Sequence, residues 1–239
     1  MHEVGTKQLK ASFFLPLTII HPAAINSSTV QFNRATRGGG VHNEGTATVN
    51  SSDIVDNTAT EFGGGIYAEE DITLHTSNVS RNVSEGHSGG IYVDDCELRM
   101  FTCSIEDNDA ATNGGGIGDG GFIPLVQLRD CTFTGNTAGA FGGAIHGTAS
   151  LLNCTISGND GRGVYFDHDS SPTLTNCTIS GNRGNRAFGG GVYCDHHSSP
   201  TLTNCTISGN SAGVGGGVYC GVNSSPILTN CIVWNNAGG

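Results

Sequence analysis

Apolar and polar residues alternate in short runs along most of the chain, and the runs are punctuated by asparagine and glycine. Around Leu202, and again over Cys205 and Ile207, apolar side chains alternate with threonine and serine. A period of two is typical of a strand with one buried face, and no stretch shows the 3.6-residue period of an amphipathic helix. The pattern therefore predicts an all-β protein made of short strands.

This pattern recurs every 23 to 28 residues. The stretch SSPTLTNCTISGN occupies residues 170–182 and returns unchanged at residues 198–210. Nine copies align on the final asparagine of this stretch: Asn33, Asn57, Asn82, Asn108, Asn136, Asn159, Asn182, Asn210 and Asn236. An apolar residue stands three positions before each of these asparagines. Such a period predicts a solenoid, in which each unit packs against its neighbours.

Three short strands per unit predict one coil of a parallel β-helix. Units of this length exceed those of the left-handed hexapeptide form and suit the larger right-handed form. We therefore predict a single-stranded right-handed parallel β-helix of about nine coils over residues 23–239. Stacked asparagines at a bend can pass amide hydrogen bonds from coil to coil. Glycine triplets, such as the one that begins at Gly114, permit positive φ at a tight corner.

Residues 1–22 form a separate segment in this interpretation. Lys7 and Lys10 precede an apolar run, in the order of a secretory signal peptide, although Glu3 and Pro16 depart from that pattern. The alternative is an apolar cap on the first coil. At the other end the last unit reaches Gly239 without a capping segment, which predicts end-to-end self-association or further domains in a longer chain.

The nine cysteines fall mainly in one inward column, five positions before the aligned asparagines. The column contains Cys103, Cys131, Cys154, Cys177, Cys205 and Cys231. No C-x-x-C spacing occurs, which disfavours both a zinc-finger site and a thioredoxin-like redox site. In-register parallel side chains rarely offer the torsion of a disulfide. We therefore predict an unpaired ladder of thiols in the core.

FTGN at residues 133–136, followed by GGAI at residues 142–145, resembles the paired FxxN and GGA[ILV] motifs of chlamydial polymorphic outer membrane protein repeats. The remaining units are similar to the wider group of right-handed parallel β-helix repeat proteins of bacterial surfaces. This resemblance implies a secreted or surface-exposed, extracellular protein of an often adhesive kind.

Charge excludes one class of partner. The formal net charge is −11, and the two lysines both lie near the start of the chain. A protein that neutralises phosphates needs clustered basic residues, so we expect no nucleic-acid partner. No apolar run approaches the ~18 residues of a membrane-spanning helix, so we expect no transmembrane segment.

One outward column is aromatic on neighbouring coils, at Tyr165, Tyr193 and Tyr219, and acids follow two positions later at Asp167 and Asp195. Rings can stack on sugar faces, and carboxylates can accept hydrogen bonds from sugar hydroxyls. These five residues therefore predict a binding site for a polysaccharide or a host or cell-surface glycan. The alternative is surface packing, because stacked tyrosines are also good strand formers.

The stretch YFDHDSSP at residues 165–172 stacks on YCDHHSSP at residues 193–200. We expect no cofactor other than a divalent cation such as Ca²⁺. Such a cation would have five candidate ligands: Asp167, His168, Asp169, Asp195 and His196. The alternative is ordinary turn chemistry, with aspartates placed before Ser-Ser-Pro.

Two lower alternatives remain open beside a non-enzymatic scaffold or adhesin. The first is a pectate-lyase-like polysaccharide lyase or a glycoside hydrolase, with Asp167, Asp195 and Arg162 as catalytic candidates. Arg183 and Arg186 lie in the same region of the sequence as Arg162. The second is ice binding by an outward hydroxyl array: Thr132, Thr134, Thr155, Ser157, Thr178, Ser180, Thr206 and Ser208.

Overall fold

The computed structural model describes residues 2–4, 15–120, 126–184 and 188–238. Every paired strand in these ranges runs parallel to its neighbour, one coil earlier or later in the chain. Lys7 and Lys10 of the signal-like segment lie outside the described residues. Further along that segment, Leu17–Ile19 pairs with Val41–Asn43 and so belongs to the first coil.

The strands form four parallel sheets, three of which run the length of the solenoid. The tyrosine sheet contains Leu17–Ile19, Val41–Asn43, Ile66–Ala68, Ile91–Val93, Ile117–Asp119, Ile145–His146, Val164–Phe166, Val192–Cys194 and Val218–Cys220. The leucine sheet contains His2–Val4, Ala23–Asn26, Ala47–Asn50, Ile72–His75, Leu98–Phe101, Val126–Arg129, Ala149–Leu152, Thr173–Thr175, Thr201–Thr203 and Ile227–Thr229. The threonine sheet contains Thr29–Gln31, Asp53–Val55, Asn78–Ser80, Ser104–Glu106, Thr132–Thr134, Thr155–Ser157, Thr178–Ser180, Thr206–Ser208 and Ile232–Trp234. A shorter corner sheet contains Arg34–Arg37, Thr58–Phe62, Val83–Ser84, Asp109–Ala110 and Thr137–Ala138.

Each coil visits the tyrosine, leucine and threonine sheets in turn, and in five coils it also visits the corner sheet. The threonine sheet has nine strands, one for each aligned asparagine. The predicted all-β, right-handed parallel β-helix of about nine coils is confirmed.

The core is a set of apolar columns that follow the predicted alternation. On the threonine sheet Ile105, Phe133 and Ile156 are successive register partners, and all three are fully buried. The tyrosine sheet also has an inward apolar column, which is fully buried, for example at Ile91 and Val164. Full burial of such a side chain stabilises the fold by about 1.5–3 kcal/mol, so the repeated columns provide most of the cohesion between coils.

A ladder of buried asparagines lies where the threonine sheet ends. In each rung the Oδ1 atom accepts hydrogen bonds from both the backbone N–H and the Nδ2 of the asparagine one coil earlier, as for Asn136 and Asn108 at 3.1 and 2.9 Å. Its Nδ2 also donates to a strand carbonyl of the preceding coil, which for Asn136 is that of Ile105. The same bonds join all nine asparagines from Asn33 to Asn236. The predicted amide ladder is confirmed.

The glycine triplets form the corner before the tyrosine sheet. The first glycine of each triplet has positive φ, for example +68° at Gly114. A Cβ atom at Gly114 would also lie 2.6 Å from the carbonyl oxygen of Ile117, so the corner has no room for a side chain. The predicted positive φ at these corners is confirmed.

All nine cysteines are free thiols, in agreement with the predicted unpaired ladder. Cys131, Cys154 and Cys177 are buried, and each donates a weak hydrogen bond from Sγ to the carbonyl two residues earlier. Serines fill this column in the early coils, where Ser52 Oγ donates to the carbonyl of Asn50 in the same way. Cysteine therefore replaces serine here as a small buried side chain.

The asparagine ladder can be tested at Asn136. We expect Asn136→Ala to lower the free energy of unfolding by about 3–5 kcal/mol, because it leaves the buried N–H of Asn108 without an acceptor and removes the side-chain hydrogen bonds to Asn108, Ile105 and Asn159. Urea unfolding followed by circular dichroism measures the change. Asn78→Ala is the control, since the half-buried amide of Asn78 donates only to Ser80 Oγ and its loss should cost about 0.5 kcal/mol. Equal costs for the two substitutions would contradict a structural role of the ladder.

A second test concerns the exposed thiol of Cys220. The hydrogen bond from the thiol of Cys194 lowers the pKa of Cys220 to about 7. At pH 8 Cys220 is therefore largely thiolate, and iodoacetamide should alkylate it well before the buried Cys154, with a rate that falls below pH 7. Peptide mass spectrometry over a time course measures the order of labelling. Alkylation of Cys154 at the rate of Cys220, without denaturant, would show that the reagent reaches the core thiols and would contradict their burial.

Candidate functional site

An aromatic column runs along the outer side of the tyrosine sheet, in the predicted register. Its successive partners are His42, Tyr67, Tyr92, Gly118, His146, Tyr165, Tyr193 and Tyr219. Because the strands are parallel and in register, each coil contributes one side chain to this column, from the same position of its strand. Between His42 and Tyr219, Gly118 is the single position of this column without a ring.

The tyrosine rings stack on one another. The ring centroids of Tyr165 and Tyr193 lie 4.7 Å apart with planes at 6°, and those of Tyr193 and Tyr219 lie 5.1 Å apart at 16°. Tyr165 is only 6% exposed. Within this stack the ring faces are covered by neighbouring rings, so a glycan would meet ring edges and hydroxyl groups. Binding by Tyr165, Tyr193 and Tyr219 stays a prediction.

Arg162 covers the column from one side. It is 5% exposed, and its guanidinium lies within 5.5 Å of three ring centroids, those of Phe141, Tyr165 and Tyr193. Nε donates to the carbonyl of Phe188 and Nη1 to that of Ala140. Burial lowers the pKa of Arg162 below its ordinary value. These contacts make it a clamp on the rings and do not favour its use as a catalytic base.

The other two arginines considered for catalysis add little. Arg183 is exposed and takes part in two isolated backbone bridges, with Asp160 and Ser211. Arg186 lies outside the described residues.

Asp195 is the centre of a hydrogen-bonded cluster just beyond the tyrosine sheet. Its side chain is 9% exposed, and Oδ2 accepts a hydrogen bond from the hydroxyl of Tyr165. His168 Nδ1 lies 3.0 Å from Oδ2, and His196 Nδ1 lies 3.1 Å from Oδ1. The backbone N–H of His196 also donates to Oδ1 at 2.8 Å. Burial, together with the bond to Asp195, raises the pKa of Tyr165 far above its ordinary value.

The remaining predicted cation ligands lie elsewhere. Asp167 Oδ1 is 3.6 Å from His146 Nε2, and this pair also lies near the carboxylate of Asp119. Asp169 is exposed, and its carboxylate is 3.9 Å from His197 Nδ1. The structure therefore brings together three of the five predicted ligands, His168, Asp195 and His196, and separates the other two.

A pocket of about 180 Å³ opens where Gly118 interrupts the aromatic column. We call it the Gly118 gap; its lining includes Tyr92, His146, Asp119 and Ser88. Ser88 is fully buried, and its Oγ has no hydrogen-bond partner in the part of the chain that the structure describes. A Cβ atom at Gly118 would lie 2.4 Å from that Oγ, so the hydroxyl forms the floor of the gap. Sequence reasoning aligned Gly118 with the rings but missed this pocket, which the lone glycine in an aromatic column could have signalled.

The hydroxyl array of the threonine sheet is also in register. Thr132, Thr155, Thr178 and Thr206 are successive partners, as are Thr134, Ser157, Ser180 and Ser208. Two straight rows of hydroxyl groups therefore lie on the outer side of this sheet. Ice binding by these rows stays a prediction.

Two protein-family models match parts of the chain. Residues 117–239 match the model described as "Right handed beta helix region", and residues 51–69 match that of the Chlamydia polymorphic membrane protein repeat. The second match contains IVDN at residues 54–57 and GGGI at residues 63–66, which align with FTGN and GGAI of a later unit. No curated protein matches the chain. Among the described residues, no helix is long and apolar enough to cross a membrane.

The clamp formed by Arg162 can be tested by unfolding. Arg162→Ala should lower the free energy of unfolding by about 3 kcal/mol, because it removes cation–π contacts with three rings and leaves two carbonyls without donors. Arg183→Ala, which truncates an exposed arginine of the next coil, should change it by less than about 0.5 kcal/mol. Denaturant titration of both variants measures the difference. Similar stabilities would show that Arg162 does not hold the column together.

Proposed function

The chain belongs to the right-handed β-helix family, and from this premise we propose that it is a non-enzymatic scaffold or adhesin of the bacterial surface that binds a glycan. The polymorphic membrane protein repeat supports the surface location, because it defines a family of bacterial outer-membrane and surface proteins. A rigid rod suits display, since each coil is fixed to the next by ladders on three faces.

The Gly118 gap is the observation that carries glycan binding. Here alone along the described column, two ring positions, Tyr92 and His146, are separated by a coil without a ring, and the imidazole of His87 also lines the pocket that this leaves. Two strand spacings separate these positions, or about 9.6 Å. Ring centroids stack at about 4.5–7 Å, so one further ring fits between the two. A pyranose ring is a ligand of this shape with two apolar faces.

Polar groups at the gap match the hydroxyl groups of a sugar. The buried Ser88 Oγ has no partner among the described residues and can both donate to and accept from a hydroxyl. The carboxylate of Asp119 lines the same pocket and can accept a hydroxyl hydrogen bond. Aromatic faces with a few converging polar groups are typical of small-ligand sites.

The acids along the column restrict the kind of glycan. Asp119 lies in the gap, and Asp167 lies beside His146 at its border. A carboxylate in the gap and a second one at its border repel the charged ring of a uronate or sialate, because the pocket is partly shielded from solvent. We therefore propose a neutral sugar residue within the glycan.

Filling the gap tests this proposal. Gly118→Tyr combined with Ser88→Ala continues the aromatic column, and removing the hydroxyl relieves the only contact closer than 3.6 Å that a Cβ at Gly118 would make. We expect this double variant to keep its thermal stability and to lose at least about tenfold in affinity for any neutral glycan that the wild-type protein binds on an array. The matched control, Ser88→Ala alone, should keep the fold and part of the affinity.

Two outcomes would count against the proposal. Absence of binding to every glycan on the array would remove the glycan-binding role. Binding that survives gap filling but is lost in Tyr193→Phe would move the site to the hydroxyl edge of the tyrosine stack. Isothermal titration with the best array ligand separates these cases.

A further inference from the structure

We propose that His168, Asp195 and His196 bind a divalent cation of the zinc type, in a site separate from the Gly118 gap. One ligand atom from each residue, two imidazole nitrogens and one carboxylate oxygen, lies within 4.8 Å of the other two. The inference does not depend on glycan binding.

The distances suit a shared ion. The two Nδ1 atoms lie 3.0 and 3.1 Å from opposite oxygens of the Asp195 carboxylate. Zinc bonds to nitrogen and oxygen of about 2.0–2.2 Å place tetrahedral ligand atoms about 3.4 Å apart. The ligand nitrogens of the two imidazoles lie within 4.8 Å of each other, so a movement of at most about 1.4 Å, shared between two exposed side chains, brings them to the tetrahedral spacing.

The surroundings hold the carboxylate in place. The hydroxyl of Tyr165 and the backbone N–H of His196 each donate to one oxygen of Asp195. Ser224 Oγ, one coil later, donates to the backbone carbonyl of Asp195 and fixes the loop from the other side. Hydrogen bonds of this kind to a ligating carboxylate are what orient a metal site.

The donor set selects the class of cation. Ca²⁺ prefers six to eight oxygen ligands, whereas two imidazoles and one carboxylate suit Zn²⁺ and its neighbours in the first transition series. The side chains of His168 and His196 are 62% and 49% exposed, so an ion reaches them directly from solvent. This replaces Ca²⁺, the cation first considered from the sequence, with a zinc-type ion.

The site is confined to two coils. His168 and His196 occupy equivalent positions in successive units, and the next unit has Gly221 and Val222 where Asp195 and His196 stand. Repetition of the Asp-His pair in neighbouring units is what brings two imidazoles to one carboxylate. The third unit cannot extend the site, because it supplies no ligand at these positions.

Two other clusters are weaker candidates for the same ion. His42 lies 3.6 Å from the carboxylates of both Glu44 and Glu69, and His146 lies near Asp119 and Asp167. Each offers a single imidazole. A zinc-type ion prefers the cluster with two, so the experiment has to locate the binding as well as detect it.

Isothermal titration of the full chain with ZnCl₂ at pH 7.5 tests the site. Cys220→Ser is introduced in every protein so that the exposed thiol does not bind the metal. We expect one strong site, at least about tenfold weaker in His168→Ala and in Asp195→Asn, and no comparable response to CaCl₂. His197→Ala is the matched control: it truncates the next histidine of the same loop, which instead contacts Asn223 Nδ2, and should leave the affinity unchanged.

A thermal readout guards against misfolded variants. Zn²⁺ should raise the melting temperature of the parent and of His197→Ala, but not that of His168→Ala, because an ion that binds only the folded chain stabilises it. Similar melting temperatures without metal show that all variants fold. Unchanged zinc affinity in His168→Ala and His196→Ala, or no zinc binding by the parent, would overturn the proposal.

Discussion

The buried asparagine ladder is the constraint on which the rest of this structure depends. Each rung binds the backbone and the side chain of the rung one coil earlier, and also a strand carbonyl of that coil, as Asn136 does with Asn108 and Ile105. A slip of one residue would break these bonds and turn every inward side chain of the strand outward. The ladder therefore fixes register at one corner, and differences in unit length between 23 and 28 residues are taken up in the loops between strands.

The register that the ladder fixes also determines which side chains of successive coils meet on the outer faces. Parallel strands in register present one residue per coil in each column, so a cluster on this surface is assembled from residues of successive units, as with Tyr165 and Asp195. A single change in a column then has a defined spatial effect. Gly118 removes one ring and leaves a pocket, whereas the paired Asp-His sequence places two imidazoles on one carboxylate. Function on such a solenoid is expected where units differ.

The sequence predicts those features that follow the period: coil number, buried columns, glycine corners, the asparagine ladder and the aromatic register. It could not predict which partners the loop side chains choose. Asp167 and Asp195 are equivalent in the repeat, yet Asp167 faces His146 while Asp195 accepts the hydroxyl of Tyr165. The difference arises one coil earlier in the column, where the longer tyrosine reaches the carboxylate of the next coil with its hydroxyl. The sequence also did not predict that Arg162 covers the ring of Tyr165. This arginine lies in an irregular corner between sheets, where the repeat does not determine side-chain contacts.

Charge connects the two proposed sites on this face. Without a cation, the acids near His146 and Tyr165 give the column a negative potential, which adds to the formal net charge of −11 and favours neutral over anionic sugars. A zinc-type ion on Asp195 would add two positive charges beside Tyr165, which stacks on His146 at the border of the gap. The stacked rings are held by Arg162 and by the ladders, so this effect would be electrostatic and would need no movement of the coils. It would also be screened by salt, because the coils of Asp119 and Asp195 are three strand spacings, or about 14 Å, apart.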